Sequence, residues 1–356
     1  MLAEMGAQVI RLDRVADAGL GLAVPARFDA LARGKQSVAL DLKAPDGLEA
    51  ARALIARADV LLEGFRPGVM ERLGLGPAPS LQANPRLVYG RISGWGDAGP
   101  MAGEVGHDLN YLGLTGALWA MGEPGAAPPV PLNLVADFGG GAMQLACGVL
   151  AALLSARATG QGQVVATSIM EGAAALTPML HGLRAGGQWH DVRQDNILDG
   201  GAPFYRAYRT ADGGAVAVAA IEAKFYRALL CGLGLLDRLQ PTDQMDRSCW
   251  AETGRLFAGI FGTASRTHWT AHFAGTEACV TPVLDWTEAR SHPQAAAMGV
   301  FSGHDGVPRA VPRFSATPCT PPPVAVEAGA DTREVLRELG LDATTIEAHC
   351  RRLTAS

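Results

Sequence analysis

An α/β fold with a mostly parallel sheet is what this sequence predicts, and three observations carry that expectation. Short runs rich in Val, Ile and Leu alternate with longer segments whose apolar residues recur at helical spacing. Glycine or proline punctuates most of the junctions between them. The chain has 356 residues, 48% of them hydrophobic, which is enough for one large domain and a smaller second one.

Taken in order, residues 1–7 read as the end of a helix closed by Gly6. Residues 8–12 form a short strand ending at Asp13, and 37–42 form a second. Residues 46–58 carry a helical pattern with Pro45 just ahead, followed by a buried strand at 60–62. The strand at 87–92 runs into Ser93-Gly94-Trp95-Gly96. A long helix is expected over 137–158, then a strand at 163–166 and a helix over 168–183. Composition turns loop-rich at 186–208, and a fresh strand at 215–220 precedes helices at 225–230 and 250–262. Six prolines between 308 and 323 indicate an extended return, and helices at 331–340 and 343–353 end the chain. These shifts place a large domain at 1–207, a small domain at 208–300 and a return to the large domain at 301–356. In sheets of this type ligands bind beyond the C-terminal strand ends, which singles out the loops after Leu12, Leu62 and Ile92.

The charge balance is mild, 35 acidic against 30 basic residues, and lysine occurs only at 35, 43 and 224. A nucleic-acid partner is excluded on that balance, because backbone phosphate affinity needs clustered positive charge. The six cysteines are scattered without a CxxC pair, which reads as reduced, buried thiols of a cytoplasmic protein. No leader pattern opens the chain, and no uninterrupted apolar run is long enough to span a bilayer. His268 and His272 lack the glutamate of a zinc-protease helix, and His181, His190, His292 and His304 form no ligand cluster, so no metal is expected. No phosphate-loop or dinucleotide fingerprint occurs.

The segments that carry a resemblance are Glu63-Gly64-Phe65-Arg66-Pro67-Gly68 with Arg72-Leu73-Gly74-Leu75, then Arg91-Ile92-Ser93-Gly94-Trp95-Gly96 and Gly106-His107-Asp108-Leu109-Asn110-Tyr111. They continue through Pro131-Leu132-Asn133-Leu134-Val135-Ala136-Asp137-Phe138-Gly139-Gly140-Gly141, Asp199-Gly200-Gly201-Ala202-Pro203 and Ala220-Ile221-Glu222, ending near Pro312-Arg313-Phe314-Ser315. In this order, over nearly the whole chain, they resemble the family III CoA-transferases (CaiB/BaiF), the racemase branch in particular. The resemblance implies a Rossmann-like large domain built from both chain ends, a smaller α+β domain and an interlocked homodimer. It implies an acyl-CoA thioester as substrate, with no bound cofactor and no membrane partner.

Asp137 is the first candidate catalytic residue. A carboxylate beside a thioester can take an α-proton or attack the carbonyl, and a helix start would stabilise its anion; the alternative is a plain N-cap. Glu222 matches the acidic partner that the resemblance sets beside a catalytic histidine, or is a surface acid at a strand end. Within Gly116-Ala117-Leu118-Trp119-Ala120-Met121-Gly122 the resemblance places Trp119 where the family histidine is expected, and indole has no basic nitrogen. His107 either substitutes as the second acid/base or has a structural or CoA-side role. Arg66, Arg72 and Arg91 are candidate phosphate contacts, with Arg11 and Arg33 added on position alone. Three readings remain open: epimerisation of 2-methylacyl-CoA through an enolate, CoA transfer through an aspartyl-CoA thioester on Asp137, and an inactive CoA-binding homologue. The resemblance also implies a strand and a turn ahead of Met1, in frame upstream.

Overall fold

A computed structural model describes residues 1–15, 19, 21, 24–301 and 306–354, so His304 lies outside the described residues. In chain order its elements are β1 (Ile10–Asp13), β2 (Gln36–Ala39), α1 (Pro45–Arg57), β3 (Val60–Glu63), α2 (Val69–Arg72), α3 (Pro77–Ala83), β4 (Val88–Ser93) and α4 (Asp108–Gly113). A π-helical segment (Leu134–Ala142) leads directly into α5 (Met143–Thr159). Then come β5 (Gln163–Ser168), α6 (Ile169–Ala174), α7 (Pro178–Ala185), β6 (Tyr205–Arg209), β7 (Ala215–Ala219), α8 (Ala223–Gly232), α9 (Arg247–Phe261), α10 (Arg266–Phe273) and β8 (Val280–Pro282). Short helices α11 (Trp286–Ser291) and α12 (Pro293–Met298) precede the closing α13 (Thr332–Glu338) and α14 (Ala343–Thr354).

The chain divides into two compact units, each built from separated stretches. The first holds Met1–Val105, Gly141–Ile169 and Arg290–Ser356; the second holds Gly106–Gly140 and Met170–Ala289. The composition shift near 208 therefore falls inside the second unit, which also draws in the segment opening at Gly106.

Parallel pairing dominates the first unit. β1 pairs with β2, and β3-β4-β5 form a separate three-stranded parallel sheet. One buried cluster gathers Val38, Leu40, Ile55, Leu87 and Tyr89 with Val335 and Leu336 of α13, so the C-terminal helices complete a core begun at the N-terminus. Asp331 and Thr332 lock that return by accepting N–H bonds from Ser37 and Ala39 at 2.7 and 3.0 Å. Leu145, Val149, Ala152 and Ala156 of α5 pack on Val88 of β4. Among the described residues, Leu134–Thr159 is the one helix with the length and apolarity to cross a membrane. One face of α5 packs on β4 and β5, while Met143, Leu150 and Leu154 are exposed. Gly162 turns the chain into β5 so tightly that a Cβ there would sit 1.9 Å from the Leu87 carbonyl oxygen.

The second unit carries an antiparallel sheet in the order β6-β7-β8. Its core is aromatic, with Phe204 meeting Tyr226 and Trp250 edge-on and Tyr208 stacked on Phe261. Phe204 is thus a core residue. The fold as a whole is mixed α/β with parallel and antiparallel sheets. Three expectations are corrected. The helix foreseen over 168–183 is two helices, because Pro178 cannot continue α6. Strand β6 lies at the end of the stretch read as loop. None of the six free thiols is buried, and Cys147 and Cys231 are exposed on helix faces turned from the cores.

Gly162→Ala is expected to lower the melting temperature by several degrees, on the scale of about 1–3 kcal/mol for overpacking. Melting like that of the unsubstituted chain would show that the β5 entry has room to shift.

Candidate active site

Asp137 and His107 meet in the second unit through residues adjacent to each in sequence. His107 stands just before α4, and its backbone is pinned there. Its N–H donates to Asn110 Oδ1 at 3.0 Å, and its carbonyl accepts from the N–H groups of Asn110 and Tyr111 at 2.8 and 3.2 Å. The Tyr111 hydroxyl also donates to the Gly106 carbonyl. Asp108, buried to 6% exposure, turns the other way and reaches the π-helical segment. Its Oδ2 accepts the Asp137 N–H at 2.7 Å and the Ala136 N–H at 3.1 Å. The opening N–H groups of any helix lack intrahelical partners. Asp108 supplies an acceptor from a distant element, much as an N-cap residue does from its own helix.

The π-helical geometry at Asp137 depends on the glycines after it. A Cβ on Gly140 would lie 2.4 Å from the Ala173 backbone nitrogen, so α6 approaches this turn at backbone contact. Ahead of it Leu132 holds φ 60, a left-handed conformation uncommon for a non-glycine residue and characteristic of functional sites. π-Helical turns are rare and concentrate at such sites too.

The electrostatics of Asp137 run opposite to the expectation of a helix-stabilised anion. Burial pushes its carboxyl above the ordinary range, and the Asp108 charge pushes it further, while the His107 charge pulls it partly back. The physical reason is first that the carboxyl is withdrawn from water, and second that Asp108, anchored on the Ala136 and Asp137 N–H groups, sets a negative charge beside it. Asp137 Oδ1 and Asp108 Oδ1 are both buried with no hydrogen-bond partner among the described residues. At Asp137 that desolvation favours holding a proton.

Trp119 stands in different company. The Arg193 guanidinium lies 4.4 Å from its ring centroid, and Arg193 Nη1 donates to the Glu123 and Ala126 carbonyls at 3.2 and 2.7 Å. Trp119 lines a cavity of about 310 Å³ whose described walls include neither Asp137 nor His107. Glu222 is the exposed residue preceding α8. Buried Gln244 holds its loop by donating to the Ala220 and Ile221 carbonyls at 3.0 and 2.7 Å.

The arginines belong to the first unit. Arg91 is engaged by Glu63 and Glu71, each at 3.0 Å. Arg11 pairs with Asp13 at 2.8 Å and Asp29 at 3.8 Å, and Arg33 with Glu4 at 2.9 Å. Arg66 and Arg72 are exposed, just beyond β3 and within α2. Among the described residues no group of three or more His, Cys, Asp or Glu is arranged to hold a metal ion. Sequence reasoning missed Asp108 and Gln244 as supports. Asp108 sits in a matched segment, but neither its burial nor its reach across 28 residues to Ala136 leaves a local signal.

Comparison with known proteins gives the same direction over the whole length. The chain is 44% identical to the alpha-methylacyl-CoA racemase of Mus musculus, covering 100% of this chain and 92% of that protein. It is 43% identical to the racemase of the same name from Homo sapiens, over 96% and 88% of the two chains. The acetyl-CoA:oxalate CoA-transferase of Acetobacter aceti is more distant, 30% identical over 79% of this chain and 72% of its own. Among solved structures, a hypothetical protein of Mycobacterium tuberculosis superposes with a TM-score of 0.77 at 27% identity, covering 94% of this chain and 92% of its own. The CoA-transferase family III model matches residues 1–332, and the chain belongs to that family.

Proposed function

We propose that the protein epimerises 2-methylacyl-CoA thioesters through an enolate, with Asp137 and His107 as the two acid/base groups. The observation that carries this reading is that Asp108 ties the Asp137 turn to the start of α4, where His107 stands, while burial raises the Asp137 carboxyl. An epimerase needs one group on each face of a planar enolate, one taking the α-proton and the other returning one. Such a pair works best when both members titrate within reach of the operating pH. Burial and, after it, Asp108 raise the Asp137 carboxyl above the ordinary carboxylate range, so it holds a proton more readily than a free acid.

The proton balance is simple. With His107 neutral and Asp137 protonated, His107 takes the α-proton as its C–H bond breaks, and the electron pair delocalises onto the thioester oxygen. Asp137 then delivers its proton to the opposite face of the α-carbon. The pair ends as imidazolium and carboxylate, the state required for the reverse direction, and solvent exchange resets it. The reading therefore assigns the second acid/base to His107 in place of the position occupied by Trp119. Glu222 enters as the carboxylate that the family resemblance sets beside the histidine. Arg66 and Arg72 enter as contacts for the CoA phosphates, and the working form as a homodimer.

The test is incubation with pure (R)- and (S)-2-methylacyl-CoA in deuterated water, reading inversion and deuterium uptake together. Asp137→Asn is expected to lower inversion by roughly 100-fold or more, the scale of a lost general base. His107→Gln is expected to abolish inversion while exchange survives on the isomer whose α-proton faces Asp137. Inversion that persists in His107→Gln would remove His107 from the mechanism. Transfer of CoA between acids with no exchange in the unsubstituted protein would install Asp137 as a nucleophile instead.

A pH profile tests the role of Asp108. Because the Asp108 charge raises Asp137, neutralising it as Asp108→Asn lets the Asp137 anion form at lower pH. The acid limb of kcat/KM, a property of the coupled pair, should move to lower pH in that variant. An unmoved limb would show that burial alone sets the Asp137 carboxyl.

A further inference from the structure

The cavity beside Trp119 has no part in the proton transfer just described. It measures about 310 Å³, at the lower end of the roughly 300–1,000 Å³ typical of small-molecule sites. A whole acyl-CoA does not fit in that volume, but one apolar end group does. Its apolar walls come from Trp119, Leu180, Trp189 and Val192.

Charges at the cavity are already committed. Arg184 makes a forked pair with Asp191, with Nη2 to Oδ2 at 2.6 Å. Arg193 caps the Trp119 ring and donates to two carbonyls. His190 Nδ1 lies 2.5 Å from Asp195 Oδ2 and 2.7 Å from Arg247 Nη1. Paired charges around two indoles suit a hydrocarbon occupant and leave little for an anion.

Placement ties the cavity to the reacting pair. Thr177, Leu180, His181 and Arg184 line it at helical spacing, so one face of α7 and the residue before it form a wall. The opposite wall begins at Thr115, just after α4, the helix that His107 precedes. At 1.5 Å per residue, α4 sets that wall about 10 Å beyond His107. That separation lets the α-carbon of a chain sit at His107 while its distal carbons reach the cavity. All of these elements belong to the second unit.

We propose that this cavity receives the distal apolar end of the acyl chain, and that Trp119, braced by Arg193, is a specificity-determining wall for chain length. The proposal rests on the acyl-CoA reading above, and its test is made on binding so that it does not depend on turnover.

The probes are unreactive S-alkyl thioethers of CoA with butyl, octyl and dodecyl chains, titrated calorimetrically against the full-length protein with free CoA as reference. Each methylene that becomes buried is worth about fourfold in affinity. Affinity should therefore climb steeply from butyl to octyl and level off by dodecyl, once the cavity is full. Trp119→Ala should cut octyl affinity by about tenfold, the scale of lost apolar burial, and leave butyl affinity within about twofold. Ala120→Phe fills the space from a neighbouring wall position and should flatten the same rise by occlusion, which keeps the test decisive if Trp119→Ala fails to fold. A rise with chain length that persists in Trp119→Ala, or in Ala120→Phe if the former is unfolded, would overturn the proposal. Equal losses for butyl and octyl would do the same, since they would mark the residue as structural. If the chain-length dependence appears as expected but no 2-methylacyl-CoA exchanges or inverts, the epimerase reading fails and the cavity assignment remains.

Discussion

The bonds from Asp108 Oδ2 to the N–H groups of Ala136 and Asp137 are the contact on which the candidate site depends. They fix two segments far apart in sequence, the start of α4 and the π-helical turn, relative to each other. They also set the charge environment. A neutral cap such as serine or asparagine would satisfy the same donors. A carboxylate does so while placing a negative charge against a second, half-buried carboxyl. Stability alone would select the neutral cap, because like charges at close range oppose each other. The costly choice becomes sensible when the second carboxyl must carry a proton in its working cycle.

Much of the fold was legible because the strands of the first unit announce themselves locally. Ile10–Asp13, Val60–Glu63, Val88–Ser93 and Gln163–Ser168 are short apolar runs bounded by turn residues, and each appears within a few positions of its expected place. What local pattern does not encode is how stretches distant in sequence share a core. Leu336 joins Val38 in one cluster, and Gly106–Gly140 joins the unit otherwise built from Met170–Ala289. Strand β6 was hidden because its residues read Tyr205-Arg206-Ala207-Tyr208-Arg209, a spacing of three in place of the period of two expected of a strand, until its pairing with β7 is known.

At the site, motif and chemistry mark Asp137 as a candidate, whereas its electrostatics leave no local signal. A helix start argues for a stabilised anion, and only the folded chain shows the burial and the neighbouring Asp108 charge that raise the carboxyl instead. The choice between His107 and Trp119 is open in the sequence for a related reason. Both lie within a dozen or so positions of each other on either side of α4, and sequence spacing cannot say which ring a helix turns toward a distant residue. Backbone pinning by Asn110 and Tyr111 holds His107 at the α4 start. Arg193, from a loop more than seventy positions later, instead claims the Trp119 ring.

The glycine run after Asp137 links these constraints. Gly140 lets α6 approach at backbone distance, and that approach both buries the Asp137 turn and continues into the α7 face that walls the Trp119 cavity. Burial is the first cause of the raised Asp137 carboxyl, ahead of Asp108. One close backbone contact therefore contributes to the burial that raises the Asp137 carboxyl and to the shape of the space beyond it. A side chain at 140 would force the two segments apart and admit water to Asp137. The Asp137 carboxyl would then relax toward an ordinary acid, because burial is the larger of the causes that raise it.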